Sequence, residues 1–136
     1  MILLDTDVIS AVMRTSPDPE VVSWLDRQPV ESLWTTTISV FEIVFGLSLL
    51  EPGRRRQRLQ MAFAQAIEED FAGRILSFDH RAAVESGTLA RRAGRPVEIR
   101  DVQIAGIAAA RRASLATRNV RHFAEFGIAL VNPWAA

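Results

Sequence analysis

The sequence predicts an α/β fold, with a central, mostly parallel β-sheet covered by helices on both faces. Short apolar or β-branched segments alternate with longer helical ones, which is the pattern of parallel sheets. The first segment, Ile2-Leu3-Leu4, is apolar without alternation, as in a central strand buried on both faces. The length of 136 residues and the hydrophobic fraction of 49% fit one domain over residues 1–136.

The expected elements follow in order along the chain. After the first strand, β-rich or apolar runs predict strands at 33–37, 75–78, 114–117 and 128–131. Helical periodicity, interrupted by Pro- and Gly-containing breaks, predicts helices at 8–13, 20–27, 38–50, 54–71, 79–93, 101–112 and 122–126. The expected buried side of helix 54–71 consists of Leu59, Met61, Phe63, Ala66 and Ile67.

Composition excludes several classes of protein. The chain has no cysteine, which rules out disulfides and thiolate metal sites. It has no apolar run long enough to span a membrane and no basic segment before its first apolar residues, so we expect a cytoplasmic protein without a signal peptide. A net charge of zero argues against strong non-specific binding of nucleic acid. The sequence still contains one dense basic cluster, which could contact phosphates or form a solvated helix face. Its members are Arg54, Arg55, Arg56 and Arg58.

Four polar residues lie where strands end or helices begin: Asp5, Glu42, Asp101 and Asn119. The carboxyl ends of parallel strands meet at one edge of a sheet, where such sheets bind ligands. Each residue also has a purely structural explanation. Asp7 or Asp101 could cap a helix, Glu42 could lie on a narrow exposed stripe with Ser39 and Gly46, and Asn119 could belong to a turn.

Several oxygen ligands at one edge would repel each other unless a cation compensates them. Mg²⁺ or Mn²⁺ is the expected ion, because these hard cations bind carboxylates and keep positions for water and phosphate. Such an ion can activate water and stabilise charge on a phosphodiester. His80 and His122 lie next to expected helix starts, and we interpret both as structural or solvent-facing.

The chain resembles the PIN-domain ribonucleases, and among them the VapC toxins of bacterial toxin–antitoxin pairs, especially the FitB-like branch. The resemblance extends over essentially the whole chain, in order. Its main motifs are Leu3-Leu4-Asp5-Thr6-Asp7, Thr36-Thr37-Ile38-Ser39-Val40-Phe41-Glu42, Asp101-Val102-Gln103-Ile104-Ala105, Leu115-Ala116-Thr117-Arg118-Asn119 and Asn132-Pro133-Trp134.

The resemblance implies a Mg²⁺-dependent endoribonuclease, usually a homodimer, that cuts cellular RNA and arrests translation. Asp5 and Asp101 would be the main metal ligands, Glu42 would hold the metal or its water, and Asn119 would orient a ligand. Thr6, Asp7 and Thr117 would support them. Relatives often carry an Asp where this chain has His122, which leaves open whether the site takes one metal or two.

The resemblance also implies partners. A VapB-like antitoxin would inhibit the nuclease and would recruit the pair to operator DNA, so the toxin itself would reach DNA only through the antitoxin. The segment Val21, Val22, Trp24 and Leu25 could be an antitoxin groove or part of the core.

Two other functions fit parts of the sequence. Asp5-Thr6-Asp7-Val8 also matches the opening motif of haloacid-dehalogenase-like phosphatases, but these enzymes usually need a later Lys, which is absent. A non-catalytic PIN domain that only binds RNA or a protein partner is the other alternative, although such members tend to lose acids that are present here.

Overall fold

The computed structural model describes residues 1–136 and contains one five-stranded parallel sheet in the order β3-β2-β1-β4-β5. The strands are β1 (Ile2–Leu4), β2 (Leu33–Thr36), β3 (Ile75–Leu76), β4 (Ser114–Ala116) and β5 (Leu130–Val131). Strand β1 pairs with β2 on one side and with β4 on the other, so Ile2 lies beside both Leu33 and Ser114. The expectation of a central first strand is therefore confirmed.

Seven α-helices connect and cover these strands. They are α1 (Thr6–Met13), α2 (Pro19–Asp26), α3 (Thr37–Ser48), α4 (Arg54–Gln65), α5 (His80–Ala93), α6 (Ile99–Arg111) and α7 (Val120–Phe123). A π-helical segment, Ala66–Asp70, extends α4, and a 3₁₀ segment, Ala124–Phe126, extends α7. None of the helices has the length and apolar character needed to cross a bilayer.

The helices form a layer on each face of the sheet, so the fold is a three-layer α/β/α arrangement. One core packs α5, α6 and α7 against the sheet around Leu3 and Leu115. The other packs α1 to α4 against the opposite face, around Leu4 and Val8. Consecutive residues of β1 thus point into different cores, because side chains alternate across a strand. This explains why the first strand is apolar without interruption.

Several expected boundaries and faces are wrong in detail. Helix α1 begins at Thr6, two residues early, because Asp5 rather than Asp7 is its N-cap. Helix α4 ends at Gln65, where the backbone changes to π-helical spacing. The side chain of Met61 is 73% exposed, contrary to expectation, while Phe63 is buried. Within the segment 21–25, Val21 and Trp24 are core, whereas Val22 is half-buried and lines a surface pocket.

Helices α5 and α6 pack closely at Gly106. A Cβ atom placed there would lie 1.8 Å from the Ser86 hydroxyl oxygen and 2.6 Å from the Ala82 carbonyl oxygen. The Ser86 hydroxyl is buried and donates a hydrogen bond of 3.0 Å to the Val102 carbonyl. This contact fixes α6, which carries Asp101 in its first turn.

We expect Gly106→Ala to lower the free energy of unfolding by about 1–3 kcal/mol, because the new methyl group overlaps Ser86 and the Ala82 backbone. Gly87→Ala in α5 is the matched control. Nothing lies within 4 Å of its added Cβ, so this change should stabilise the helix by about 0.5–1 kcal/mol. Urea unfolding followed by circular dichroism measures both. A Gly106→Ala variant as stable as the unmodified protein would contradict the close approach.

Candidate active site

The four residues singled out in the sequence belong to different elements at the carboxyl edge of the sheet. Asp5 follows β1, and Asn119 follows β4 by three residues. Glu42 lies in the second turn of α3, which begins directly after β2. Asp101 lies in the first turn of α6. The chain therefore brings these side chains together only after β1, β2 and β4 have paired.

Asp5 is the most buried carboxylate of the site, with 7% of its surface exposed. One oxygen, Oδ1, accepts a 2.8 Å hydrogen bond from the Thr6 backbone N–H and so caps α1. The other, Oδ2, accepts a 2.8 Å hydrogen bond from the fully buried Thr117 hydroxyl. The Asn119 backbone N–H in turn donates to the oxygen of Thr117. These bonds hold the carboxylate at the junction of β1 and β4.

Asp7 lies beside Asp5 in the first turn of α1, and only one of its two carboxylate oxygens has a hydrogen-bond partner. Its Oδ2 accepts a 3.0 Å hydrogen bond from the Arg118 backbone N–H and is 3.4 Å from the Thr117 hydroxyl oxygen. That hydroxyl has one proton, and Asp5 is its nearer acceptor. Asp7 Oδ1 is buried and has no hydrogen-bond partner. An unpartnered buried carboxylate oxygen is unusual and indicates a position for a donor or a cation.

Glu42 faces the site from α3. Its Oε1 accepts a 2.9 Å hydrogen bond from the Thr6 hydroxyl, whose oxygen is also 3.0 Å from the Ser39 hydroxyl. Its Oε2 is 3.6 Å from Nη1 of Arg100, the residue before Asp101. The Glu42 side chain is 22% exposed, and Ser39 is buried. The alternative of an exposed stripe shared with Ser39 is therefore wrong.

Asp101 does not cap its own helix. The N-cap of α6 is Glu98, whose side chain accepts the Asp101 backbone N–H at 3.0 Å. The Asp101 carboxylate is thereby left free for other contacts, and its Oδ2 is 3.4 Å from Nδ1 of His122. His122, expected to be structural or solvent-facing, contacts the site although its side chain is 61% exposed.

Burial and mutual repulsion disfavour the charged forms of these carboxyl groups. Burial, followed by the charge of Asp7, raises the pKa of Asp5 to about 7 against an ordinary value of 3.8. Burial also raises the pKa of Asp7, and burial together with the charge of Glu98 raises that of Asp101. Strongly perturbed carboxyl groups gathered at a ligand-binding edge are characteristic of functional sites.

The donor set fits a hard divalent cation that keeps part of its water. No three His, Asp or Glu side chains are arranged to hold an ion by themselves. Mg²⁺, however, commonly uses one or two carboxylates and completes its coordination with water and substrate phosphate. A cation beside Asp5 and Asp101 would offset the burial and repulsion that raise both pKa values, and Asp7 Oδ1 offers a further unpartnered oxygen.

The structure places three of the four predicted site residues, Asp5, Glu42 and Asp101, near one another, while the Asn119 side chain points to solvent. Asp5 and Asp101 are close enough for the charge of Asp101 to raise the pKa of Asp5, and Thr6 links Glu42 to the helix that Asp5 caps. Asn119 is exposed, and its side chain caps no backbone group. Sequence reasoning assigned no role in the site to Arg100 and took His122 to be structural or solvent-facing. The sequence did offer one indication that both residues are near the site. Arg100 directly precedes Asp101, and His122 follows Asn119 by three residues.

Comparison with known proteins shows the family. The PIN domain family matches residues 2–128. The plasmid stability protein StbB of Pseudomonas syringae pv. tomato is 40% identical over 139 residues, covering 100% of both chains. The VapC ribonuclease Y4jK of Sinorhizobium fredii is 36% identical, covering 98% of both. The crystal structure of FitAcB from Neisseria gonorrhoeae matches with a TM-score of 0.91 and 36% identity, covering 100% of both chains.

This chain belongs to the PIN-domain family. The expected family resemblance and the three-layer α/β/α fold are thereby confirmed. The match also removes the basis for the haloacid-dehalogenase alternative, which rested on four residues around Asp5.

We expect Asp5→Asn to stabilise the protein in the presence of EDTA at pH 8 by on the order of 2 kcal/mol, with a smaller gain at pH 5. The folded-state pKa of Asp5, about 7, exceeds its ordinary value of 3.8. The folded protein therefore binds the Asp5 proton more tightly than the unfolded chain does, and its stability falls as the pH rises from about 4 to 7. The side chain of the Asp5→Asn variant is neutral at every pH, so this variant does not lose stability in that way as the pH rises.

Urea unfolding between pH 5 and 8 measures the effect. Asp26→Asn, which makes the same substitution at the exposed end of α2, is the control. A constant difference between Asp5→Asn and the unmodified protein across this range would contradict the assignment of a raised pKa to Asp5.

Proposed function

We propose that this protein is the toxin of a toxin–antitoxin pair and acts as a metal-dependent endoribonuclease that cleaves RNA and arrests translation. The observation that carries the proposal is the buried, hydrogen-bonded Asp5 carboxylate and the partly buried acidic residues beside it, at the sheet edge of a PIN-domain chain. The ribonuclease name of a relative that is 36% identical over 98% of both chains supports the reaction class. Candidate substrates are tRNA, rRNA and mRNA.

Each residue has a distinct role in this proposal. Asp5 and Asp101 would hold the metal, Mg²⁺ or Mn²⁺, which would supply activation of water and stabilisation of charge on the phosphodiester. Thr117 holds the Asp5 carboxylate in place through its 2.8 Å hydrogen bond. Glu42 binds the metal or orients its water, and Thr6 fixes the Glu42 carboxylate at 2.9 Å. Asn119, exposed at the start of α7, is placed to orient a ligand that enters from solvent.

The protein surface supports a protein partner. Helix α3 exposes about half or more of Phe41, Val44 and Phe45, and the rings of Phe41 and Phe45 stack with centroids 6.1 Å apart. Exposed apolar side chains grouped on one helix face commonly mark a protein interface. A neighbouring groove joins Thr6 and Glu42 to the apolar side chains of α3 and α4.

An antitoxin segment bound in the groove would contact Thr6 and Glu42, which fits the inhibitor role that the proposal gives it. StbB is named for plasmid stability, which is consistent with a toxin–antitoxin role. We therefore propose a VapB-like antitoxin as the partner, with operator DNA bound only through that antitoxin. A homodimer is the proposed state of the toxin itself.

Purified protein should cut total cellular RNA into discrete fragments in the presence of Mg²⁺ or Mn²⁺. Asp5→Ala and Glu42→Gln should each lower the cleavage rate about 10²-fold or more, because both change the groups that hold the metal and its water. Asp26→Ala, which removes an exposed carboxylate from α2, should cleave normally. Gel electrophoresis followed by sequencing of the fragment ends measures the rate and identifies the target. Full activity of Asp5→Ala would refute the assigned site.

Expression of this chain alone in a bacterial host should slow growth, and co-expression of the small antitoxin encoded beside it should restore growth. Antitoxin binding would cover the groove beside Glu42, so the two proteins should also co-purify. Growth curves with Asp5→Ala as the inactive control measure the effect. Unimpaired growth with soluble, folded protein would argue against a toxin.

A further inference from the structure

Arg100 is a cation within the site that the proposed reaction has not used. Its Nη1 is 3.6 Å from Glu42 Oε2, and its Nε is 3.3 Å from Glu98 Oε1. One guanidinium thus contacts carboxylates from α3 and from the N-cap of α6. It does so immediately before Asp101 in the chain.

The two contacts of Arg100 differ in kind. Glu98 is fixed by its capping bond, since its Oε2 accepts the Asp101 backbone N–H at 3.0 Å. Its Oε1 is 3.3 Å from Arg100 Nε, so a fixed carboxylate holds this side of the guanidinium. The contact with Glu42, at 3.6 Å, is an ion pair without a close hydrogen bond, and the Arg100 side chain is 43% exposed. Partly exposed pairs of this kind are weak, so Arg100 can leave Glu42 at small cost.

Arg100 occupies one approach to the Glu42 carboxylate. Glu42 Oε1 accepts the Thr6 hydroxyl, and Oε2 faces Arg100 Nη1 at 3.6 Å. A divalent ion that approaches Oε2, directly or through water, therefore competes with the guanidinium for that oxygen.

We propose that Arg100 is an exchangeable counterion of Glu42, and that it moves to a phosphate of the RNA when Glu42 takes part in metal binding. This inference rests on the proposed nuclease function. The exchange keeps the charge of Glu42 compensated in both situations. The released guanidinium remains anchored by Glu98 next to Asp101, where it can bind two phosphate oxygens in its planar fork. Arg100 is thus a positioning residue for the substrate and a competitor of the metal.

The test measures metal binding and RNA cleavage separately, because Arg100→Gln should move them in opposite directions. Mn²⁺ binding without RNA, followed by electron paramagnetic resonance of the free ion, should become about three- to tenfold tighter once the competing cation is gone. At saturating Mn²⁺, the KM for RNA should rise about tenfold or more, since a phosphate contact is lost. A residue that only supports the fold would weaken both.

Two further variants isolate the contact. In a Glu42→Gln background, Arg100→Gln should tighten Mn²⁺ binding less than it does in the unmodified protein, because the shared carboxylate is absent and only the effect of Arg100 on an ion at Asp101 is left. Arg111→Gln removes the same charge from the other end of α6, about 16 Å away, and should change neither quantity appreciably. Arg100→Lys, which keeps the charge but not the fork, should keep part of the competition and lose most of the phosphate contact.

The outcomes separate this inference from the proposed function. If the unmodified protein binds Mn²⁺ and cleaves RNA but Arg100→Gln binds Mn²⁺ no more tightly, the exchange is refuted and the nuclease stands. Unchanged KM in Arg100→Gln would likewise refute the transfer to phosphate. If the unmodified protein neither binds Mn²⁺ nor cleaves RNA, both proposals fail.

Discussion

The site depends on the hydrogen bond between the Thr117 hydroxyl and the Asp5 carboxylate. This bond joins the ends of β1 and β4. It also stabilises the charged form of Asp5, which burial and the neighbouring Asp7 disfavour. Burying such a group is costly without a partner. A second interaction offsets this cost, because Asp5 also caps α1. One side chain thus fixes both the end of β1 and the start of α1. A ligand-binding edge and a structural junction therefore coincide.

The architecture could be predicted largely from the pattern of apolar segments. The uninterrupted Ile2-Leu3-Leu4 predicted a strand with a core on each face, and the structure has two separate cores there. Helix α5 was placed correctly by Asp79 at its start and Gly94 at its end. Helix ends and exposed faces were less predictable. The π-helical change after Gln65 and the exposure of Met61 arise from tertiary packing, which periodicity does not report.

The candidate site was predictable in its acidic residues but not in its charge pairing. Asp5, Glu42 and Asp101 could be selected because each lies near a strand end or a helix start, and Glu42 also because it is the only charge in an apolar run. The alternative that Asp101 caps α6 is wrong, because the cap is Glu98, which the prediction from sequence did not consider. The contacts of Arg100 with Glu42 and of His122 with Asp101 join residues far apart in sequence or on different elements. Only the folded chain shows such pairs.

The position of β1 in the sheet also affects when the site can form during synthesis. Strand β1, Ile2–Leu4, is synthesised well before one of its two partners, β4, which ends only at Ala116. A nascent chain shorter than this has Asp5 but neither Thr117 nor the strand that positions it. Pairing of such distant segments is slow because the intervening loop must close first. The carboxylates consequently become organised only after β4 and Thr117 have been synthesised.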